Sequence, residues 1–191
     1  VGQPVFREAS EDRQRLQNIF RKLMRFTAFV SFPAMLGLAI VSQELIVISI
    51  TEKWLPCVPV MQILCVWGAF MPISTLYSNL MNSIGRPNVY MWNTIALGIF
   101  QLLCVWGSYP YGLNIMLIVY TAANIFWLLI WHYFAHKHIG ISLLNTLKDI
   151  APYLIISVAV MTFTYWVAGY VKNIYLSLLV KIALAASLYI F

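Results

Sequence analysis

Six long apolar stretches, separated by short turn-forming breaks, constrain this chain more than anything else in it. They fall at about residues 23–50, 58–83, 89–108, 113–134, 152–171 and 175–191. A helix needs about 20 consecutive apolar residues to cross the hydrocarbon core of a bilayer, and these runs are of that order. Inside a bilayer a helix also satisfies its own backbone, which an open strand cannot do. The breaks carry Pro56 and Pro59, Gly85-Arg-Pro87, Pro110-Tyr-Gly112, Gly140 and Lys172-Asn173, which is turn chemistry. None of them is long enough to fold alone. Composition closes off the water-soluble alternative: 9% of the residues are charged and 62% are hydrophobic, where soluble domains carry roughly 25% charged residues. The sequence predicts an all-α, polytopic membrane bundle of about six transmembrane helices across residues 23–191.

Residues 1–22 are the exception. Arg7, Arg13, Arg15, Arg21 and Lys22 mix there with Glu8, Glu11 and Asp12. Ser10 followed by two acids reads as a helix start, the hydroxyl capping free N–H groups and the acids facing the positive end of the helix dipole. Leu16, Ile19, Phe20 and Leu23 then recur at three- and four-residue spacing, which predicts an amphipathic cytoplasmic connector entering the first span. That span exceeds the length needed to cross, so it should tilt or project. Pro33 and Pro72 each remove a backbone donor and predict a local disturbance, tolerable where a neighbour supplies the freed carbonyl. The chain opens on Val1 and closes on Phe191 within an apolar run. It is therefore expected to be part of a longer protein.

Orientation follows from the basic residues, which accumulate on the cytoplasmic side of membrane proteins. The first 25 residues, the 83–89 turn with Arg86, and the 134–152 connection with Lys137 and Lys148 hold nine of the twelve lysines and arginines. The alternate turns hold Lys53 and Lys172. Both ends of the segment should face the cytoplasm. Trp54, Tyr109, Tyr111, Tyr170 and Tyr175 fall at expected outer edges, with Trp131 and Tyr133 at an inner edge, as interfacial anchors.

Catalytic constellations are scarce. Of six acids, three precede the first span and none pairs at helical spacing within one. Glu44 falls toward the outer end of the first span. His132 and His136 have the i,i+4 spacing of a metal pair, yet no further ligand is near them in sequence, so no metal and no cofactor is expected. Cys57, Cys65 and Cys104 lack redox or metal spacing, and the two well within apolar runs serve as small hydrophobes. There is no phosphate-cradling glycine loop, and the net charge of +6 reflects membrane topology, so no nucleic-acid partner is expected.

Polar residues inside the apolar runs are more informative. Ser74, Ser78, Asn82 and Arg86 recur every four residues, one stripe descending to the cytoplasmic end, with Thr75 and Asn79 beside it. Asn93 and Gln101 share a face of the next run, and Thr121 and Asn124 sit on the one after. Such groups avoid lipid, so they either tie helices together or line a hydrophilic path. Lys181 is a basic residue inside the last run. It either serves function or snorkels to the interface.

A resemblance then enters on particular residues. Phe32-Pro-Ala-Met-Leu-Gly-Leu-Ala39, Thr51-Glu-Lys-Trp-Leu-Pro56, Met61-Gln-Ile-Leu-Cys65 and Asn82-Ser-Ile-Gly-Arg-Pro87 follow one another, with Pro4-Val-Phe6 ahead of the charged segment. In order and spacing these resemble the polysaccharide transporter branch of the multidrug/oligosaccharidyl-lipid/polysaccharide exporter superfamily. The likeness is carried by about residues 1–100. It implies the C-terminal portion of a fold of about 12–14 helices, and a flippase rather than an enzyme. Its substrate would be an undecaprenyl-diphosphate-linked oligosaccharide for lipopolysaccharide, O-antigen or capsule assembly, moved by alternating access. Ser74, Ser78, Asn82, Arg86, Asn93, Gln101 and Lys181 are then candidates for the substrate path, and proton or sodium coupling would fall to residues outside this segment. A multidrug extruder of the same superfamily would favour an acidic or aromatic cavity, and the acid-poor spans argue against it. A membrane polymerase or ligase would favour a large charged outer loop, which is also missing.

Overall fold

The computed structural model describes residues 13–168 and 174–190. The expected Ser10 cap and the Tyr170 anchor lie outside these described residues. Six α-helices follow in order: α1 (Arg13–Ser49), α2 (Val58–Ser83), α3 (Pro87–Ser108), α4 (Leu113–Ile139), α5 (Leu143–Ala168) and α6 (Ile174–Ile190). Short 3-10 turns at Glu52–Cys57 and Tyr109–Tyr111 join α1 to α2 and α3 to α4. Among the described residues no strand is present. Helices α1 to α5 are long and apolar enough to cross a membrane, and α6 is an apolar helix of 17 residues. The protein is a polytopic helical membrane bundle.

The helices overrun the apolar runs that announce them. Arg13 to Lys22 are continuous with the first span, and α1 reaches 37 residues, about 55 Å at 1.5 Å per residue. At the other side of the sequence, α4 continues through His136, Lys137 and His138, and α5 already begins at Leu143. Hydropathy marks only the part of a helix bathed in lipid. The polar turns beyond it stay helical until something stops them. Gly140 does so here, in the left-handed conformation (φ 82°) that lets its N–H close on the His136 carbonyl at 2.8 Å, a conformation that costs other residues more.

Helix α1 runs continuously through Pro33. That ring leaves the carbonyl four residues back without its usual donor. The carbonyl is Phe29 O, and the Tyr189 hydroxyl of α6 donates to it at 2.8 Å. A neighbouring helix thus supplies what the proline removed.

Packing follows one ridge of α1. Leu16, Phe20, Met24, Ala28 and Phe32, spaced every four residues, are buried and interlock with Ala69, Ile73, Tyr77, Leu80 and Met81 of α2 and with Trp131, Ala135 and Ile139 of α4. Ala28, Ala69 and Ala135 let the backbones approach closely, as small residues do in membrane bundles. Helix α1 is central: α2 packs on one flank, α5 and α6 on the other. Beyond α2 comes α4, and α3 rides on α4 at the edge. The buried residues of α3 are both polar, Asn93 and Ser108, while Leu102 and Trp106 are exposed. In lipid this inversion is favourable, because apolar side chains have nothing to escape from.

The aromatic belts hold in part. Trp54, Tyr109, Tyr111, Tyr133 and Tyr175 are exposed. Trp131 is not an interfacial anchor but a core residue, 2% exposed, its ring 6.2 Å from that of Tyr90. Periodicity placed it near a helix end without revealing that α4 turns this face toward α2.

Candidate functional site

The seven polar positions singled out by sequence fall into three separate places. Ser74, Ser78 and Asn82 form one half-buried stripe on α2, and Arg86 follows, exposed, as the residue preceding α3. The hydroxyls of this stripe are turned back on their own helix: Ser78 Oγ donates to Ser74 O at 3.2 Å, and Thr75 Oγ1 to Met71 O at 3.0 Å. Ser74, Ser78 and Asn82 therefore do not tie α2 to a neighbour among the described residues.

Asn93 and Gln101 behave otherwise. Gln101 Nε2 donates to Asn124 Oδ1 at 2.7 Å, and Asn124 in turn donates to Tyr120 O at 2.8 Å. Asn93 Oδ1 accepts from the indole of Trp127 at 2.7 Å. These two contacts hold α3 to α4 along an interface that has little buried apolar surface.

Lys181 lies apart from both groups and is buried. Its ammonium donates to Glu44 Oε1 at 2.5 Å and to Ile40 O at 2.9 Å, and sits 5.5 Å from the centre of the Tyr165 ring. Ser177 Oγ donates to the same Glu44 oxygen at 3.0 Å, while Glu44 Oε2 is buried without a hydrogen-bond partner. Snorkelling is thus replaced by an ion pair between α1 and α6. Sequence reasoning kept Lys181 and passed over Glu44. The available signal was depth: Glu44 lies five residues inside the end of α1 and Lys181 seven inside the start of α6, about 8 and 10 Å of helix. Two lone opposite charges at one depth belong together.

A second charged cluster joins the opposite end of α1 to α5. Arg21 binds Asp149 side-on, Nε to Oδ2 at 2.6 Å and Nη2 to Oδ1 at 3.1 Å, and Arg25 reaches Oδ1 at 2.6 Å. Nearby, Arg13 Nε and Gln17 Nε2 both donate to Ile139 O, at 2.7 and 2.5 Å. That carbonyl is one of those a helix end leaves open. None of these partners is legible in sequence, because each lies more than 120 residues away.

The two histidines spaced for a metal turn to different partners: His132 Nδ1 is 3.1 Å from the Tyr77 hydroxyl, and His136 Nδ1 is 2.9 Å from Ile141 O. Among the described residues no three histidine, cysteine or acidic side chains gather as metal ligands would.

Comparison with known proteins adds what geometry cannot. Residues 1–59 match the family model described as polysaccharide biosynthesis protein. Over that stretch the chain is similar to this family. The chain is also similar to an uncharacterized membrane protein in the cps region of Klebsiella pneumoniae, 30% identical over 98 residues. The lipopolysaccharide biosynthesis protein WzxC of Escherichia coli is likewise 30% identical over 98 residues, and the teichuronic acid biosynthesis protein TuaB of Bacillus subtilis is 26% identical over 101. Each alignment covers about half of this chain, 51 to 52%, and 20 to 21% of the relative, so the chain spans about a fifth of the curated relatives it matches. No solved structure matches it.

Proposed function

We propose that this chain forms one transmembrane bundle of a bacterial inner-membrane flippase. Its substrate would be an undecaprenyl-diphosphate-linked oligosaccharide bound for lipopolysaccharide, O-antigen or capsule, with membrane lipid as its other partner. The observation that carries this reading is the polysaccharide biosynthesis match over residues 1–59, which falls on α1 of a polytopic bundle. A sugar-diphosphate headgroup needs a polar route across the membrane while its lipid tail stays in the bilayer. The half-buried stripe Ser74, Ser78 and Asn82, leading to Arg86, is suited to wall that route, because its polar groups are not consumed by neighbouring helices. Asn93, Gln101 and Lys181 hold helices together and take a supporting part. A second bundle, supplied elsewhere in the full-length protein, would close the cavity and alternate its access about the midplane. The charge distribution supports cytoplasmic placement of both ends of this segment, and the reaction is transport rather than catalysis.

Leaflet-resolved transport of a fluorescent undecaprenyl-diphosphate oligosaccharide by the full-length protein in proteoliposomes tests this. Transport is expected, with a drop of at least tenfold in the Ser78→Leu/Asn82→Leu double variant. A double variant as fast as the parent removes the stripe from the path. A parent that moves none of several such glycans overturns the reading in favour of a drug extruder or an assembly enzyme.

A further inference from the structure

Five arginines and lysines near the N-terminal end of α1 would repel one another unless something neutralises them. Asp149 does this for Arg21 and Arg25. Elsewhere at the same end, Arg13, Arg86 and His138 line one small polar cavity of about 250 Å³, completed by Leu16, Ile84 and Ile139. The three basic groups come from three different elements: the start of α1, the α2–α3 turn and the last turn of α4. Among the described residues no carboxylate lines this cavity, and Arg13 and Arg86 form no ion pair with an acid.

A cleft lined by charges of one sign concentrates ions of the opposite sign. The cavity is also built rather than incidental. The Arg13 Nε–H is spent on Ile139 O at 2.7 Å, which fixes the guanidinium at the wall and leaves its terminal nitrogens for another acceptor. His138, in the last turn of α4, lines the same cavity as Arg86. The left-handed glycines Gly85 (φ 72°) and Gly140 (φ 82°) flank Arg86 and Ile139 and shape the two turns that meet here.

We propose that this cavity binds a phosphate group, as a monophosphate, diester or diphosphate. Guanidinium forks match phosphate oxygens in pairs, and an imidazole adds a further donor. A volume of about 250 Å³ has room for a phosphate or diphosphate. Two sources offer this chemistry at a membrane face, an anionic phospholipid headgroup and the diphosphate of a lipid-linked sugar. The second source rests on the transport reading; the site itself does not.

The test uses the full-length protein, purified and reconstituted. Inorganic pyrophosphate is titrated first by calorimetry, with Arg86→Glu as the main variant and His138→Ala as a milder one. Arg13 also caps α4, so its variants are set aside. Saturable pyrophosphate binding, weakened at least tenfold by Arg86→Glu and several-fold by His138→Ala, is expected. Native mass spectrometry from nanodiscs then separates the sources. Retention of phosphatidylglycerol over phosphatidylcholine, lost in Arg86→Glu, assigns the headgroup; competition of pyrophosphate by undecaprenyl diphosphate alone assigns the lipid-linked sugar. Absence of binding to all three probes, or equal binding by Arg86→Glu with unchanged elution and helicity, overturns the site. Transport that persists without such binding leaves the flippase reading intact, and binding without transport leaves the site intact.

Discussion

Helix α1 is tied to its neighbours by two charged clusters of opposite polarity, and their surroundings differ more than their chemistry. At one end α1 contributes the cations, and Asp149 of α5 contributes the anion. The arginine side chains there are 33% and 50% exposed, while the Asp149 side chain they cover is 4% exposed. At the other end α1 contributes the anion, Glu44, and α6 the cation, with side chains 8% and 6% exposed. Water and salt screen the first cluster, and exposed pairs contribute little to stability. The second has given up its hydration, so the pair adds little net stability when intact, yet removing one member strands a charge. An ion pair between helices is thus a fastener whose strength is set by what surrounds it.

The largest expected effect tests the buried member. Lys181→Ala leaves the Glu44 carboxylate buried and unpaired, and should lower stability by about 3–5 kcal/mol. Equilibrium unfolding in mixed micelles would measure it. A Glu44→Gln/Lys181→Met double variant should recover most of that loss, and a double variant as unstable as the single one would show that packing, not charge, was at stake.

An intermediate effect concerns the cluster whose arginines reach water. Asp149→Asn should cost about 1 kcal/mol for its pairs. The deficit should shrink as salt rises from 0.1 to 1 M, because the screening length falls from about 10 to about 3 Å. The cost of Lys181→Ala should barely move over the same range. A salt-independent Asp149→Asn would erase the contrast.

The smallest effect supplies an uncharged reference. Gln101→Leu removes the amide contact to Asn124 and should cost about 0.6 kcal/mol, the average for a hydrogen bond between membrane helices, with no salt dependence. A loss several times larger would mean that α3, with its scant buried surface, depends on this single contact.

The fold was largely legible in the sequence, because apolar runs of bilayer length leave a chain few options. The positions of the breaks followed from Pro56, Pro59, Gly85, Pro87 and Gly112, and the buried ridge of α1 began in the spacing of Leu16 and Phe20. Helix ends were less legible, since His136 to His138 are polar enough to read as a loop and are still helical. The connections between distant helices were not legible at all. Nothing near Phe29 indicates that Tyr189 satisfies its carbonyl, and Asp149 looks like an ordinary loop acid beside Lys148. The stripe on α2 was visible as a pattern. That its hydroxyls turn inward on their own helix depends on side-chain geometry, which periodicity does not carry.

The central position of α1 also sets an order of events during synthesis. Its partners arrive last: Glu44 waits for Lys181 across 137 residues, and Phe29 waits for Tyr189 across 160. At about 5–20 residues per second, the first interval is roughly 7 to 27 seconds. Throughout it, α1 carries a carboxylate and a carbonyl that still lack these partners. A nascent chain released before α6 would therefore expose both defects on its central element. Helix α6 completes α1.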